Sequence, residues 1–198
     1  MAKKRIAKRP PARLKDIPDE EMTAPQVALR DAILAGPRGQ RKKLNGPFAI
    51  WLHAPEFGDR AQALGEHCRF KTALEPRLSE FAILVTGQIW KAQYEWYAHA
   101  PIAERAGVKP QTIKDIKAGR LPKSAPKDER AIYEFIRELY KTRRVSDRTY
   151  KRVHAFLGDA AMVEFVGILG YYSLISMTLN VFRAPLPDDV PLPFAEPI

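Results

Sequence analysis

Three titratable side chains are spaced so that they could share a proton. Glu80 stands near the start of the stretch 77–107, RLSEFAILVTGQIWKAQYEWYAHAPIAERAG, and Glu95 and His99 follow at i, i+4. Residues four apart lie side by side on one helix face. A carboxylate beside an imidazole sets its tautomer and favours its charged form, which is the equipment of general acid–base chemistry. Ala92 and Ala103 flank the pair one turn to either side and leave room for a ligand. The same spacing also fits a surface Glu–His pair that only steadies a helix. Glu80 sits at the edge of an apolar stripe, Leu78, Phe81, Ala82, Leu84 and Val85, where a carboxylate needs a partner or a raised pKa. Arg77 would satisfy it as an ordinary salt bridge, His99 as a functional partner. In one straight helix the 19 residues from Glu80 to His99 would span about 28 Å. The chain must therefore turn back near 87–91 for the two to meet.

The elements that position these residues read as helices throughout. Thr23 and Pro25 open a helix that runs up to Gly36; 36–46 is a polar, basic loop with Arg38, Arg41, Lys42 and Lys43. Pro47 opens a short helix to His53, and 58–74 forms another. The apolar periodicity from Pro76 and a second helix over 92–106, stopped at Gly107, form the pair that carries the candidate site. Residues 110–118 make a short helix, and 128–144 an amphipathic one with Ile132, Phe135, Ile136 and Leu139 inward. Ser146 caps 148–157, and Asp159 caps a long apolar helix to Phe182. No alternating strand pattern of useful length is present. The expectation is an all-α bundle of about eight helices, with a flexible basic tail over 1–22, a helical domain over 23–184 and a proline-rich extension over 185–198.

The chain has 198 residues, 33 Lys and Arg against 23 Asp and Glu, and a net charge of +10. Seven of the positive charges, Lys3, Lys4, Arg5, Lys8, Arg9, Arg13 and Lys15, lie in the tail, so the body is only mildly basic. The tail could attract nucleic acid through its phosphates, but only nonspecifically, since no aromatics are interleaved with its charges. No apolar run follows the basic residues as a secretory signal requires, which points to the cytoplasm. The single cysteine, Cys68, excludes an internal disulfide and a CxxC redox pair. Residues 160–182 are long and apolar enough to imitate a membrane span, but a buried bundle helix reads the same way, and no membrane association is expected. His67 and Cys68 have no second ligand pair at zinc spacing, and neither GxGxxG nor GxxxxGK[ST] occurs, so no metal and no cofactor are expected.

Several words in this sequence occur in a familiar order. They are Leu44-Asn45-Gly46-Pro47-Phe48 with Leu52-His53-Ala54-Pro55, Arg77-Leu78-Ser79-Glu80, Tyr94-Glu95-Trp96 with His99, Ala106-Gly107-Val108, Gly170-Tyr171-Tyr172 and Met177-Thr178-Leu179-Asn180. In that order the chain resembles the carboxymuconolactone decarboxylase family, which includes the alkylhydroperoxidase D-like proteins, over roughly 37–187. The peroxidase branch places cysteines where Ala92 and Glu95 stand here, so its thiolate chemistry has no thiols to run on. Tyr94-Glu95-Trp96 resembles the decarboxylase branch instead, although Tyr97 follows Trp96 where a further histidine would be expected. The resemblance implies an alkylhydroperoxidase D-like bundle, a trimer or hexamer with apolar helices between subunits, and cofactor-free decarboxylation of a small carboxylated lactone in aromatic catabolism. Loss of carbon dioxide would leave dienolate-like charge, to be protonated by a positioned acid. On that reading His99 is the general acid/base, Glu80 orients it or shares its proton, and Glu95 tunes the pair. Pro47 and Phe48 (through the start of their helix), Trp96 and Arg77 as a carboxylate clamp would contact substrate. The alternatives are a non-redox oligomeric protein of the same fold with another lyase, isomerase or hydrolase activity, or one with a binding role only.

Overall fold

The computed structural model describes residues 9–38 and 43–196. Among these residues eight α-helices follow a short 3-10 turn at Asp19–Glu21, and no strand is present: α1 Ala24–Ala35, α2 Pro47–Trp51, α3 Pro55–Phe70, α4 Pro76–Ile89, α5 Gln93–Arg105, α6 Pro110–Lys117, α7 Lys127–Thr142 and α8 Asp147–Phe182. Proline occupies one of the first two positions of α1, α2, α3, α4 and α6. At a helix start its fixed φ suits the helix and its missing N–H would have had no partner.

Helix α4 is the axis of the molecule. It packs against α5, α6, α7 and α8, and every residue from Leu78 to Gln88 is buried. The one-sided stripe read from the sequence is thus only part of its contact surface. Ile83, Thr86 and Gly87 also point into neighbours, and the Thr86 hydroxyl donates to the Ala82 carbonyl at 2.9 Å. Phe81, Leu84 and Val85 meet Ile132 and Ile136 from α7 and Phe165 and Ile168 from α8 in one continuous core.

Helix α8 is broken at Gly158, whose φ of 71° and ψ of 179° are not helical, so its two arms correspond to the two helices read over 148–157 and 159–182. Its apolar part is long enough to cross a membrane by length and composition, and half of that window is buried against the rest of the fold. Phe165, Ile168, Leu169, Tyr172, Ile175 and Leu179 face inward, whereas Val163, Val166, Met177 and Val181 face outward.

Of the tail expected over 1–22, residues 1–8, with Lys3, Lys4, Arg5 and Lys8, lie outside the described residues. Residues 9–22 run along the body: the Arg13 amide donates to the Phe182 carbonyl at 3.1 Å, and His53 Nε2 donates to the Lys15 carbonyl at 3.0 Å. The proline-rich extension is held at Phe194, whose amide and carbonyl are both bonded by the Gln93 side chain at 2.9 Å. Arg41 and Lys42 of the α1–α2 loop also lie outside the described residues.

Candidate active site

The turn between α4 and α5 decides whether the site exists. The Ala92 amide donates to the Gly87 carbonyl at 2.9 Å and the Lys91 amide to the Gln88 carbonyl at 3.1 Å, the paired bonds of a Schellman motif. Lys91 occupies the left-handed position with φ 50°, a place usually taken by glycine. The chain therefore reverses at 90–92, slightly later than the sequence suggested, and α5 returns along α4.

The reversal brings all three acid–base candidates together. His99 Nδ1 donates to Glu80 Oε2 at 2.7 Å. On the other edge of the ring, Nε2 stands 3.1 Å from Glu95 Oε1, at ion-pair distance but without the alignment of a good hydrogen bond. His99, Glu80 and Glu95 are only 5%, 6% and 4% exposed, which excludes the solvated surface pair. The Glu95 stem passes close to Gly87 of α4, where a Cβ would make an ordinary contact of 3.5 Å with Glu95 Cγ.

A ring with a carboxylate at each nitrogen is best matched to the imidazolium, because neutral imidazole has only one N–H. The electrostatics agree. Burial opposes the charge on His99, but Glu80 and Glu95 outweigh it and raise the pKa above the ordinary histidine value. The cluster thus favours a proton held on His99 in a place screened from water.

The sequence reading missed two aromatic neighbours and one cation. Tyr172 from α8 packs edge-on to the His99 ring, centroids 5.3 Å apart, and Tyr171 packs edge-on to Tyr172 at 5.3 Å. Burial raises both phenols above the usual tyrosine range, so they are neutral hydroxyls. Arg38, read as part of a basic loop, is buried and lies over the rings of Phe48 and Phe70 at 5.0 and 5.5 Å. Only the Gly170-Tyr171-Tyr172 word hinted at any of this.

The four expected substrate contacts fare differently. Arg77 does not join the cluster: it binds Asp128 and Glu129 at 2.7 Å each and Glu75 at 3.3 Å, pinning α4 to α7. With its guanidinium so engaged it is not a free carboxylate clamp, and Glu80 takes His99 in place of Arg77. Pro47 and Phe48 are buried, but α2 is only five residues long and closes early, too short for the N-terminal anion site expected of it. Phe48 instead supplies the ring under Arg38. Trp96 is buried with its ring edge-on to Phe194 at 5.3 Å, so it anchors the C-terminal extension. No group of three or more His, Cys, Asp or Glu among the described residues is arranged to hold a metal ion. Clefts of about 730, 400 and 150 Å³ are lined by other residues, and none of these three borders His99.

This architecture is that of the alkylhydroperoxidase D-like proteins. A crystal structure of an alkylhydroperoxidase AhpD core protein from Ralstonia eutropha JMP134, described as an uncharacterized peroxidase-related protein, superimposes with a TM-score of 0.76. The match covers 92% of this chain and 95% of that one at 17% identity. No curated protein sequence matches the chain. Residues 55–133 match the model of the carboxymuconolactone decarboxylase family. The segment contains Glu80, Glu95 and His99; Arg38, Tyr171 and Tyr172 lie outside it.

Proposed function

We propose that the protein is a cofactor-free carboxy-lyase acting on a small carboxylated lactone of the carboxymuconolactone type. The observation that carries this reading is the buried His99 imidazole held between Glu80 and Glu95. In the reaction the bond from carbon to the departing carboxylate breaks and its electron pair moves into the system conjugated with the lactone carbonyl. His99 then delivers its proton to the carbanionic carbon, and the cluster regains one proton from solvent. Glu80 holds the ring in place through Nδ1, and Glu95 favours the protonated ring before transfer. Dithiol peroxidase chemistry does not suit a chain whose single cysteine, Cys68, is buried and whose thiol pKa is raised, chiefly by that burial.

The test is turnover of carboxylated lactones, followed as carbon dioxide release, by the wild type, His99→Ala and Glu80→Gln. Removal of the proton donor should cost about 10²–10⁴ in kcat. Wild-type rates in both variants would remove the assignment. The burial of the cluster favours, as a second reading, an oligomeric binding protein of the same fold, which would predict ligand binding without turnover in any variant. Under either reading we place the protein in the cytoplasm as a trimer or hexamer whose contacts include the outward face of α8.

A further inference from the structure

Among the described residues Arg38 is a cation without an anion. It is 6% exposed, its Nε has no hydrogen-bond partner among the described residues, and its Nη1 makes one long contact, 3.5 Å, to the Gln62 carbonyl. No carboxylate lies within ion-pair distance of it among the described residues. Glu66, which acts on it electrostatically, is bound by Lys71 at 2.6 Å. Two aromatic faces partly compensate the lost hydration. They do not supply the planar, two-pronged acceptor that a guanidinium fits best.

Other unpartnered polar atoms gather on the same turn of α3. The Tyr171 hydroxyl is buried with no hydrogen-bond partner among the described residues, and it rests against Gly65, where any Cβ would lie 1.9 Å from Tyr171 Oη. Gly65 is three residues beyond Gln62, so both face the same side of the helix. The Gln62 side-chain oxygen is buried and unpartnered too, and its amide can turn its NH2 end to an anion. A cation, a hydroxyl and an amide, each more than nine-tenths buried and with Tyr171 acting on Arg38 electrostatically, therefore lie around this turn of α3 with polar atoms unpartnered among the described residues. Through the edge-on contacts Tyr171–Tyr172 and Tyr172–His99 this cluster adjoins the proton site.

We propose that Arg38, Tyr171 and Gln62 form an anion-recognition site that takes a carboxylate of the ligand and directs the rest of the molecule toward His99. Burial lowers the Arg38 pKa, but arginine retains its charge over the working range, and Tyr171 stays a neutral donor. The direction of the ligand rests on the carboxy-lyase reading; the anion site itself does not. On that reading the chemistry also says which carboxylate is held. A guanidinium bonded to the departing carboxylate would stabilise the ground state and oppose carbon dioxide loss, whereas one bonded to a second carboxylate would not. On that reading one carboxylate of the substrate is anchored at Arg38 and another is lost beside His99.

The test is binding, measured by calorimetry with two six-carbon dienes: cis,cis-muconate, which carries two carboxylates, and sorbate, which carries one. Both should bind the wild type, and Arg38→Gln should weaken binding at least tenfold, with Tyr171→Phe weakening it severalfold. Without ligand, Arg38→Gln should melt at the wild-type temperature or above it, because an uncompensated buried charge is removed; a purely structural arginine would give a lower melting temperature. No binding to the wild type, undiminished binding by Arg38→Gln, or a drop in its ligand-free melting temperature would overturn the site. His99→Ala separates the two readings. If it binds muconate normally while no form of the protein turns over a lactone, the anion site stands and the carboxy-lyase reading falls. If the wild type turns over a lactone and Arg38→Gln does so with unchanged KM, the anion site falls and the carboxy-lyase reading stands.

Discussion

Glu80→Gln tests the claim that His99 keeps its proton. The amide keeps the shape of the side chain and can still accept a hydrogen bond from Nδ1, so what changes is charge. A hydrogen bond to a charged group contributes about 1.5–3 kcal/mol and a neutral one about 0.5–1.5 kcal/mol, so weakening this bond costs roughly 1–2 kcal/mol. Loss of the attraction between opposite charges adds to that, and relief of the cost of burying Glu80 subtracts from it. Glu95 still faces Nε2 and spares the imidazolium from being orphaned. A net loss of about 2 kcal/mol follows where His99 is protonated in the folded state. Since the folded-state pKa of His99 is raised above its unfolded value, the stability it contributes is fully present below about pH 6.5, the unfolded value, and is lost as pH rises through the folded value. Urea unfolding of wild type and variant should therefore differ most near pH 6 and converge at alkaline pH. NMR of the imidazole carbons would report the proton directly, with His99 titrating at lower pH in the variant. A difference in stability that stays constant from pH 6 to pH 10 would mean that His99 does not hold its proton through Glu80, and the acid assigned to it would be lost.

Two further outcomes follow from the same structure. Arg77→Ala leaves Glu129, which is almost wholly buried, without its cation, and should cost about 3–5 kcal/mol by chemical denaturation, toward the lower end because the carboxyl can protonate. The folded fraction should keep the wild-type KM, and a raised KM with unchanged stability would restore Arg77 as a substrate clamp. On the outward face of α8, Val163 is 74% exposed and Val166, Met177 and Val181 are also exposed, while a Cβ at Gly167 or Gly170 would meet nothing. Val163→Glu with Val166→Glu should convert the proposed oligomer into monomers in light scattering at micromolar concentration, and a wild-type protein that is already monomeric there would exclude self-association through this face.

The parts of the site that could be read in the sequence are those fixed by local geometry. The four-residue step from Glu95 to His99 places both on one face wherever α5 begins, and Gly107 ends that helix with φ 104°. The return of the chain between Glu80 and His99 could be required but not located, because the residue that takes the left-handed turn is Lys91, which carries no such signal. What the sequence hid depends on contacts between distant segments. Arg77 reads as a neighbour of Glu80, yet its partners Asp128 and Glu129 lie on α7, and only the packing of α4 against α7 reveals them. Arg38 stands in a run of cations, and such a run normally marks a solvated loop. It is buried because Phe48 of α2 and Phe70 of α3 close over it and the Gln62 carbonyl of α3 lies beside it, two elements with no shared local pattern. The two halves of the site thus differ in origin. The acid–base half lies within the segment matched by the family model, as does Gln62 of the recognition half, whereas Arg38 and Tyr171, which we also assign to ligand recognition, come from the flanking α1–α2 loop and α8. Such a division would let the proton chemistry stay fixed while the ligand changes, so exchanging Arg38 and Tyr171 should alter which acid binds before it alters how His99 titrates.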